Sequence, residues 1–311
     1  MNLTQITSIG IEALRNAYSI QKKLSEEGII NEFSYKGNGT DKALKGDWES
    51  EEVVIETFKQ TKFPVRIISE EHGQIDIVRN PLYLAVLDGF DGSSGLKMNL
   101  RARGGTMLSI ATNLNPNYSD FILGGLTEFC QDKILYAIKN QGAFLIDTKN
   151  ESTEEVEIKK RESFRNKSPI HLDDPSLYEY AKGITSGLDE IGKCVNDTFT
   201  KPLQRRNFTN LYALNSSSAM CFDLIIGNVD AVCGVIAKGV FEPPAEYVLL
   251  REIDGSAYGK VNGKWEEIGN KKWSANLMTH IGDNYKKKDE IEKAIAFYRK
   301  AFFIARGAGI G

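Results

Sequence analysis

LAVLDGFDGSSG, residues 84–95, joins an apolar run to two aspartates, three glycines and two serines. The run before Asp88 reads as a buried strand. Carboxylates at its end cannot stay buried and unpaired, and the glycines let the backbone turn and approach a ligand closely. A strand that ends this way marks a site.

Upstream, IISEEHG at residues 67–73 repeats the arrangement, with Glu70 and Glu71 after an apolar run and before a glycine. If the two strands are neighbours in a sheet, Glu70, Asp88 and Asp91 come together, and an oxygen-only cluster selects a hard cation such as Mg²⁺. Two competing motifs fail. A calcium loop starting at Asp88 would need an acid or amide where Phe90 stands and a glutamate where Asn99 stands, and no GK[ST] follows the glycines as a nucleotide-binding loop requires.

Composition narrows the classes. The chain has 311 residues, 41% of them hydrophobic, enough for one large core or two ordinary ones. With 39 basic and 42 acidic residues the net charge is -3, which gives no electrostatic footprint for nucleic acid or membrane and favours a small-molecule partner. Cys130, Cys194, Cys221 and Cys233 lack CxxC spacing and His72, His171 and His280 lie far apart, so neither a zinc site nor a disulfide framework is expected. The cysteines read as small core residues. No run approaches the ~20 apolar residues of a membrane span, and the first 20 residues do not read as a secretory leader, so a cytoplasmic protein is expected.

Ile6, Ile9, Ala13, Ala17, Ile20 and Leu24 recur every three or four residues and predict an amphipathic helix with one buried face. WESEEVVIETFKQ (48–60) predicts a second, with Val53, Val54 and Phe58 inward. Short β-like runs follow, VRIIS, LYLAVL, MLSIATNL, DFILGGL and KILYAI, so helices layered on a sheet are expected. Residues 147–169 are polar and mixed in charge, reading either as a solvated connection between two halves or as an exposed edge strand and loop. SSAMCFDLIIGNVDAVCGV predicts a helix and then a strand, PAEYVLLREIDG a helix closed by Gly255, and Lys287–Arg306 a last helix with Ile291, Ala294, Ile295, Tyr298 and Phe302 inward.

SEEHG, then LDGFDGSSG, then NQGAFLID (140–147), then FEPPAEYVLLREIDG resemble, in order, the signatures of the inositol monophosphatase and fructose-1,6-bisphosphatase superfamily. The resemblance covers about residues 5–280. It implies an α/β fold, an alternating αβαβα sandwich, with an N-terminal half (1–148) carrying the metal motifs and a C-terminal half (149–311) completing the site. It implies a Mg²⁺-dependent phosphomonoesterase using two or three ions per site, with Mn²⁺ as an alternative, and in-line attack by a metal-activated water. Glu70, Asp88 and the Phe90 carbonyl would hold one ion, and Asp88 would bridge to a second held by Asp91 and the acid of the third motif. Gly92, Ser93 and Ser94 would face the phosphate, while the Ser93 hydroxyl and Asp47, in KGDWESE, would orient the water. The substrate implied is a small sugar or polyol phosphate, chiefly fructose-1,6-bisphosphate or inositol-1-phosphate. A homodimer is implied too.

The sequence departs from the pattern at three places. Gly89 stands where proline is usual, and Ser93 where threonine is. In the third motif Glu242, followed by two prolines, takes the usual aspartate's place, or Glu246 does if the prolines shift the register. The basic stretch 95–105, with Lys97, Arg101 and Arg103, replaces an apolar segment and is read as either a contact to a second phosphate or a solvated loop. Arg205 and Arg206 raise the same question, and Asn215 and Ser216 fall where the superfamily has a pair near the substrate ring. His72 is expected to be structural. Two alternatives follow: a sugar-phosphate-binding protein disabled at Glu242, and a nucleotide 3'-phosphatase of the same superfamily.

Overall fold

A computed structural model describes residues 1–34, 43–97, 103–156, 170–172, 216–229, 231–236, 241–261, 264–269 and 300–305. Two long helices open the chain, α1 (Leu3–Glu26) and α2 (Lys45–Gln60). Asn2 caps α1, accepting from the Gln5 amide at 2.9 Å while the Gln5 side chain accepts from the Asn2 amide at 3.0 Å, so two orphan donors of the first turn are satisfied. The apolar stripe read from the sequence is its buried face, and Gln21 lies fully buried on it as well.

The strands that follow are β1 (Val65–Ser69), β2 (Gly73–Asp76), β3 (Tyr83–Asp91), β4 (Gly105–Ala111), β5 (Phe121–Glu128), β6 (Lys133–Ile138), β7 (Gly142–Asp147) and β8 (Ser152–Glu155). A short helix, α3 (Ser93–Lys97), separates β3 from β4. The eight strands form one sheet in the order β2-β1-β3-β4-β5-β6-β7-β8, parallel only between β1 and β3. β3 is buried along its length because both faces are covered. Ala85 and Leu87 pack under α1 and α2 with Leu14, Val54, Phe58 and Phe63. Leu84 and Val86 face the opposite side, against Phe222, Leu224, Val248 and Leu249.

That second side is built by α4 (Ser217–Ile226) and α5 (Glu242–Arg251). A second sheet lies beyond, in the order β12-β11-β13-β10-β9, comprising β9 (Ile170–Leu172), β10 (Ala231–Ile236), β11 (Ser256–Val261), β12 (Lys264–Glu267) and β13 (Lys300–Ala305). Its Val232 and Ala257 join the same apolar cluster as α4 and α5. The chain is therefore an alternating α/β sandwich, and among the described residues its layers are helix pair, sheet, helix pair and sheet. None of the described helices is long and apolar enough to cross a membrane.

The structure corrects the sequence reading in three places and, within 147–169, bears out one of its two alternatives. Lys300–Ala305 is a strand between β11 and β10 rather than the end of a helix, and 287–299 lie outside the described residues. Its run KAFFIA is apolar on both faces, a pattern that helical periodicity cannot tell from a buried strand. Within 147–169, Ser152–Glu155 is an exposed edge strand that continues the first sheet. The left-handed residue after α5 is Asp254, at φ 59°, while Gly255 donates back to the Leu250 carbonyl at 2.9 Å. Cys221 is buried in the core as expected, but Cys130 is exposed on the turn after β5.

Candidate metal centre

Parallel pairing of β1 and β3, with Ser69 opposite Leu87, brings Glu70 beside Asp88 at one end of the sheet. The β3–β4 register then slips between Asp88 and Asp91, a bulge that presents both aspartates at the same strand end. Gly92 follows at φ +95°, which turns the chain from β3 into α3, and a Cβ there would lie 2.9 Å from the Arg103 carbonyl. Across the sheet, α5 begins at Glu242, with the prolines of its first turn where a missing amide costs nothing. Among the described residues, Asp88, Asp91 and Glu242 form a group whose ligand oxygens all lie within 4.8 Å of one another. Glu70 is exposed at the strand end, outside that group.

The acids differ in how they are satisfied. Asp91 Oδ2 accepts from the Ser218 amide at 2.6 Å and from the Ser216 hydroxyl at 2.9 Å, at the N-terminus of α4. Asp47, buried in the first turn of α2, accepts from the Phe90 amide at 3.0 Å. Glu246, one turn after Glu242, accepts from the Ser217 hydroxyl at 2.6 Å. Asp88 Oδ1 is buried and has no hydrogen-bond partner among the described residues.

The electrostatics follow. Burial, and then the charges of Glu70, Asp91, Glu242 and Asp47, push the Asp88 pKa well above the usual carboxylate value. Burial raises Glu242 likewise, followed by Asp91, against its own backbone donor. Asp47 is raised by burial and then by Glu51, Glu70 and Glu71. Asp91 is raised by burial in spite of its donors at α4. A pile of mutually repelling carboxylates with one orphaned acceptor is the donor set that a divalent cation satisfies, because the ion supplies the positive charge the protein does not.

A buried polar network supports the strand end from below. Gln21 Nε2 donates to the Thr106 hydroxyl at 2.8 Å, the Ser50 hydroxyl at 3.1 Å and the Gly89 carbonyl at 3.2 Å, and Thr106 also donates to Gly89 O at 2.8 Å. Neither Gln21 nor Thr106 was identifiable from sequence, since Gln21 stands among polar neighbours in YSIQKKLSE and Thr106 is a single hydroxyl in an apolar run. Glu51 was missed as well. It is fully buried in α2 and accepts from the amides of Glu70, Glu71 and His72 and from His72 Nδ1, whose ring stacks on Trp48 with centroids 3.8 Å apart.

Of the other expected positions, Ser93 opens α3 next to Gly92 and Ser94 follows it. Ser216 is fully buried as the N-cap of α4, its hydroxyl engaged by Asp91 and the Ala219 amide. Arg103 is neither a solvated loop residue nor turned to a ligand, because it donates to Glu128 at 3.0 Å and, through both terminal nitrogens, to Asp223 at 2.6 and 3.0 Å. Arg101, Arg205, Arg206 and Asn215 lie outside the described residues.

No protein-family model matches the sequence, and no curated protein matches it. Solved structures do resemble it. A hypothetical protein from Pyrococcus horikoshii with similarities for inositol-1 monophosphatase aligns at 17% identity and TM-score 0.62, covering 99% of this chain and 95% of its own. Inositol monophosphatase II from Staphylococcus aureus aligns at 13% and 0.59, covering 98% and 89%. A gene product named inositol monophosphatase-fructose 1,6 bisphosphatase aligns at 18% and 0.60, covering 97% and 94%. The chain shares their fold, an α/β sandwich.

Proposed function

We propose that this chain, with the inositol monophosphatase fold, is a divalent-metal-dependent phosphatase acting on a small sugar or polyol phosphate, with fructose-1,6-bisphosphate and inositol-1-phosphate as the first candidates. The observation that carries the reading is the convergence of Asp88, Asp91 and Glu242, with Asp88 Oδ1 left without a partner. In this reading Asp88, Asp91 and Glu242, together with Glu70 and the Phe90 carbonyl, hold Mg²⁺. When bound, such ions supply an activated water and neutralise the charge that develops on the phosphate.

The protein's own groups do the positioning. Ser216 and the Ser218 amide fix the Asp91 carboxylate, so the ligand oxygen that remains faces the cluster. Gly92, Ser93 and Ser94 lie where β3 gives way to α3, and their backbone amides receive the phosphate oxygens. Asp47 and the Ser93 hydroxyl orient the attacking water. Arg101, Arg206 and Asn215 are assigned to the distal part of the substrate. The division into halves at 148/149, a cytoplasmic location and a homodimer belong to this reading as well.

The reading that Glu242 disables the site is disfavoured, because Glu242 sits with Asp88 and Asp91 while Glu246 is engaged by Ser217. The test is inorganic phosphate release from fructose-1,6-bisphosphate, inositol-1-phosphate and a nucleoside 3'-phosphate, with Mg²⁺ or with chelator, for wild type and Asp91→Asn. Turnover that needs Mg²⁺ and is lost in Asp91→Asn supports the proposal, and the ratio of rates selects the substrate. Mg²⁺-independent release, or none from any substrate, overturns it.

A further inference from the structure

We propose that Glu51 is a positioning residue that sets where Glu70 stands relative to Asp88, and thereby the affinity of the site for divalent metal. The inference rests on the metal-dependent reading above. Glu51 is fully buried on α2, one helical turn after Asp47. Its Oε1 accepts from the Glu70 amide at 3.1 Å and the Glu71 amide at 3.2 Å. Its Oε2 accepts from the Glu71 amide at 3.2 Å, the His72 amide at 3.1 Å and His72 Nδ1 at 2.8 Å.

Three consecutive backbone donors on one buried carboxylate hold the turn in this conformation, because any rotation gives up at least one of these part-buried hydrogen bonds and leaves the Glu51 carboxylate short of a donor. The turn contains two acids, Glu70 and Glu71, whose charges both raise the pKa of Asp47 and therefore lie close to it. Left to itself, a segment with that repulsion would swing its carboxylates away from the cluster. Glu51 holds the peptide backbone rather than the side chains, so Glu70 stays presented. His72 closes the arrangement from the far side, with its ring against Trp48 and its Nδ1 on Glu51.

The same helix holds the other strand. Asp47 accepts from Phe90, at the end of β3, and Glu51 accepts from the turn after β1. One turn of α2 therefore sets the spacing between the two strand ends that carry Glu70 and Asp88. Glu51→Gln keeps the volume but turns an amide NH₂ toward backbone N–H groups, so donor faces donor.

The experiment is Mn²⁺ binding to the purified chain, read from the free-ion signal in electron paramagnetic resonance, alongside thermal unfolding in chelator. Wild type, Glu51→Gln, His72→Phe and Ile138→Ala are compared. Ile138 is buried in the α1–α2 layer away from the strand ends, and its truncation reports destabilisation alone. Loss of a group that orients a ligand typically weakens metal binding roughly 10–100-fold, and that is the expectation for Glu51→Gln. His72→Phe keeps the ring on Trp48 and removes one donor, so a smaller weakening is expected. Ile138→Ala should melt lower and bind as wild type does.

Wild-type affinity in Glu51→Gln, or weakening no greater than in Ile138→Ala, overturns the inference and leaves the phosphatase reading standing. If Glu51→Gln does not fold, wild-type affinity in His72→Phe overturns it instead. A wild-type chain that binds no Mn²⁺ overturns the metal-dependent reading itself.

Discussion

Gly89→Ala tests the close approach on which the site depends. A Cβ at Gly89 would lie 2.2 Å from the Asp47 carbonyl oxygen and 2.6 Å from Asp47 Oδ1. Carbon and oxygen in contact need about 1 Å more, since non-bonded heavy atoms are most stable near 3.5 Å. The shift must come from the end of β3 or the start of α2. Both are held: Gly89 O by Thr106 and Gln21, Asp47 by the Phe90 amide. Overpacking against fixed backbone costs about 1–3 kcal/mol. At roughly 2–4 °C per kcal/mol for a chain of this size class, the melting temperature should fall by about 2–12 °C. A misplacement of ~1 Å among reacting groups costs on the order of 100-fold in rate, so kcat should fall further than stability implies. Gly28→Ala is the control, with nothing within 4 Å of its Cβ and only its φ of +74° to oppose it. It should melt slightly lower, by about 1 kcal/mol of strain, and keep full activity. A Gly89→Ala protein that melts within ~1 °C of wild type and turns over at the wild-type rate would refute the packing argument.

Addition of Mg²⁺ at about 100 times its dissociation constant should stabilise wild type by ~2.7 kcal/mol, and Asp91→Asn should lose most of the accompanying shift in melting temperature. Glu242→Gln should likewise lose Mg²⁺ stabilisation, whereas Glu246→Gln, at the residue that accepts from the Ser217 hydroxyl, should keep it; the reverse pattern in calorimetry would make Glu246 the ligand. In chelator, stability should fall as pH is raised above the ordinary carboxylate range. Folded-state pKa values of Asp47, Asp88 and Glu242 lie above the unfolded ones, so their contribution is complete below about pH 4 and is lost as pH rises through the raised values. Melting curves across that range would check it, and a metal-free midpoint that rises with pH would contradict the burial of the cluster. Arg103→Met should cost about 3–5 kcal/mol in a denaturant titration, because it leaves buried Glu128 and Asp223 without their cation.

The strand-end carboxylates were legible because the chemistry is written in consecutive letters: an apolar run, then acids, then glycine. The helices of the first layer were legible for the same reason, since Ile6, Ala13 and Ala17 repeat with helical period. Gln21 on that stripe was not, because a single polar residue in a core face gains meaning only from partners 29 to 106 positions away. Glu51 was hidden differently. In WESEEVVIETF it is one of several acids on a helix, and nothing local distinguishes a surface glutamate from one that grips a turn 19 residues later. Arg103 was misread because its ion-pair partner Asp223 lies 120 residues away. The strand at Lys300–Ala305 failed for want of alternation: KAFFIA has no polar side with which to separate period 2 from period 3.6.

Hydrogen-bond donors sort the acids of the site into two kinds. Glu51 is matched by three amides and an imidazole nitrogen, and Glu246 by a hydroxyl; an acid satisfied in this way shapes the backbone around it. Asp88 has the opposite balance, buried among four other carboxylates with one oxygen unmatched. Leaving such an acceptor dry costs roughly 1–3 kcal/mol, and the repulsion adds to it, so a fold that served only stability would replace Asp88 with an apolar residue. Asp91 stands between the two kinds, with one oxygen fixed by Ser216 and Ser218 so that the carboxylate is oriented without being neutralised. This gradient, from fully matched at Glu51 to unmatched at Asp88, runs from the body of α2 toward the strand end. On the metal-dependent reading, the missing positive charge belongs where Asp88, Asp91 and Glu242 converge.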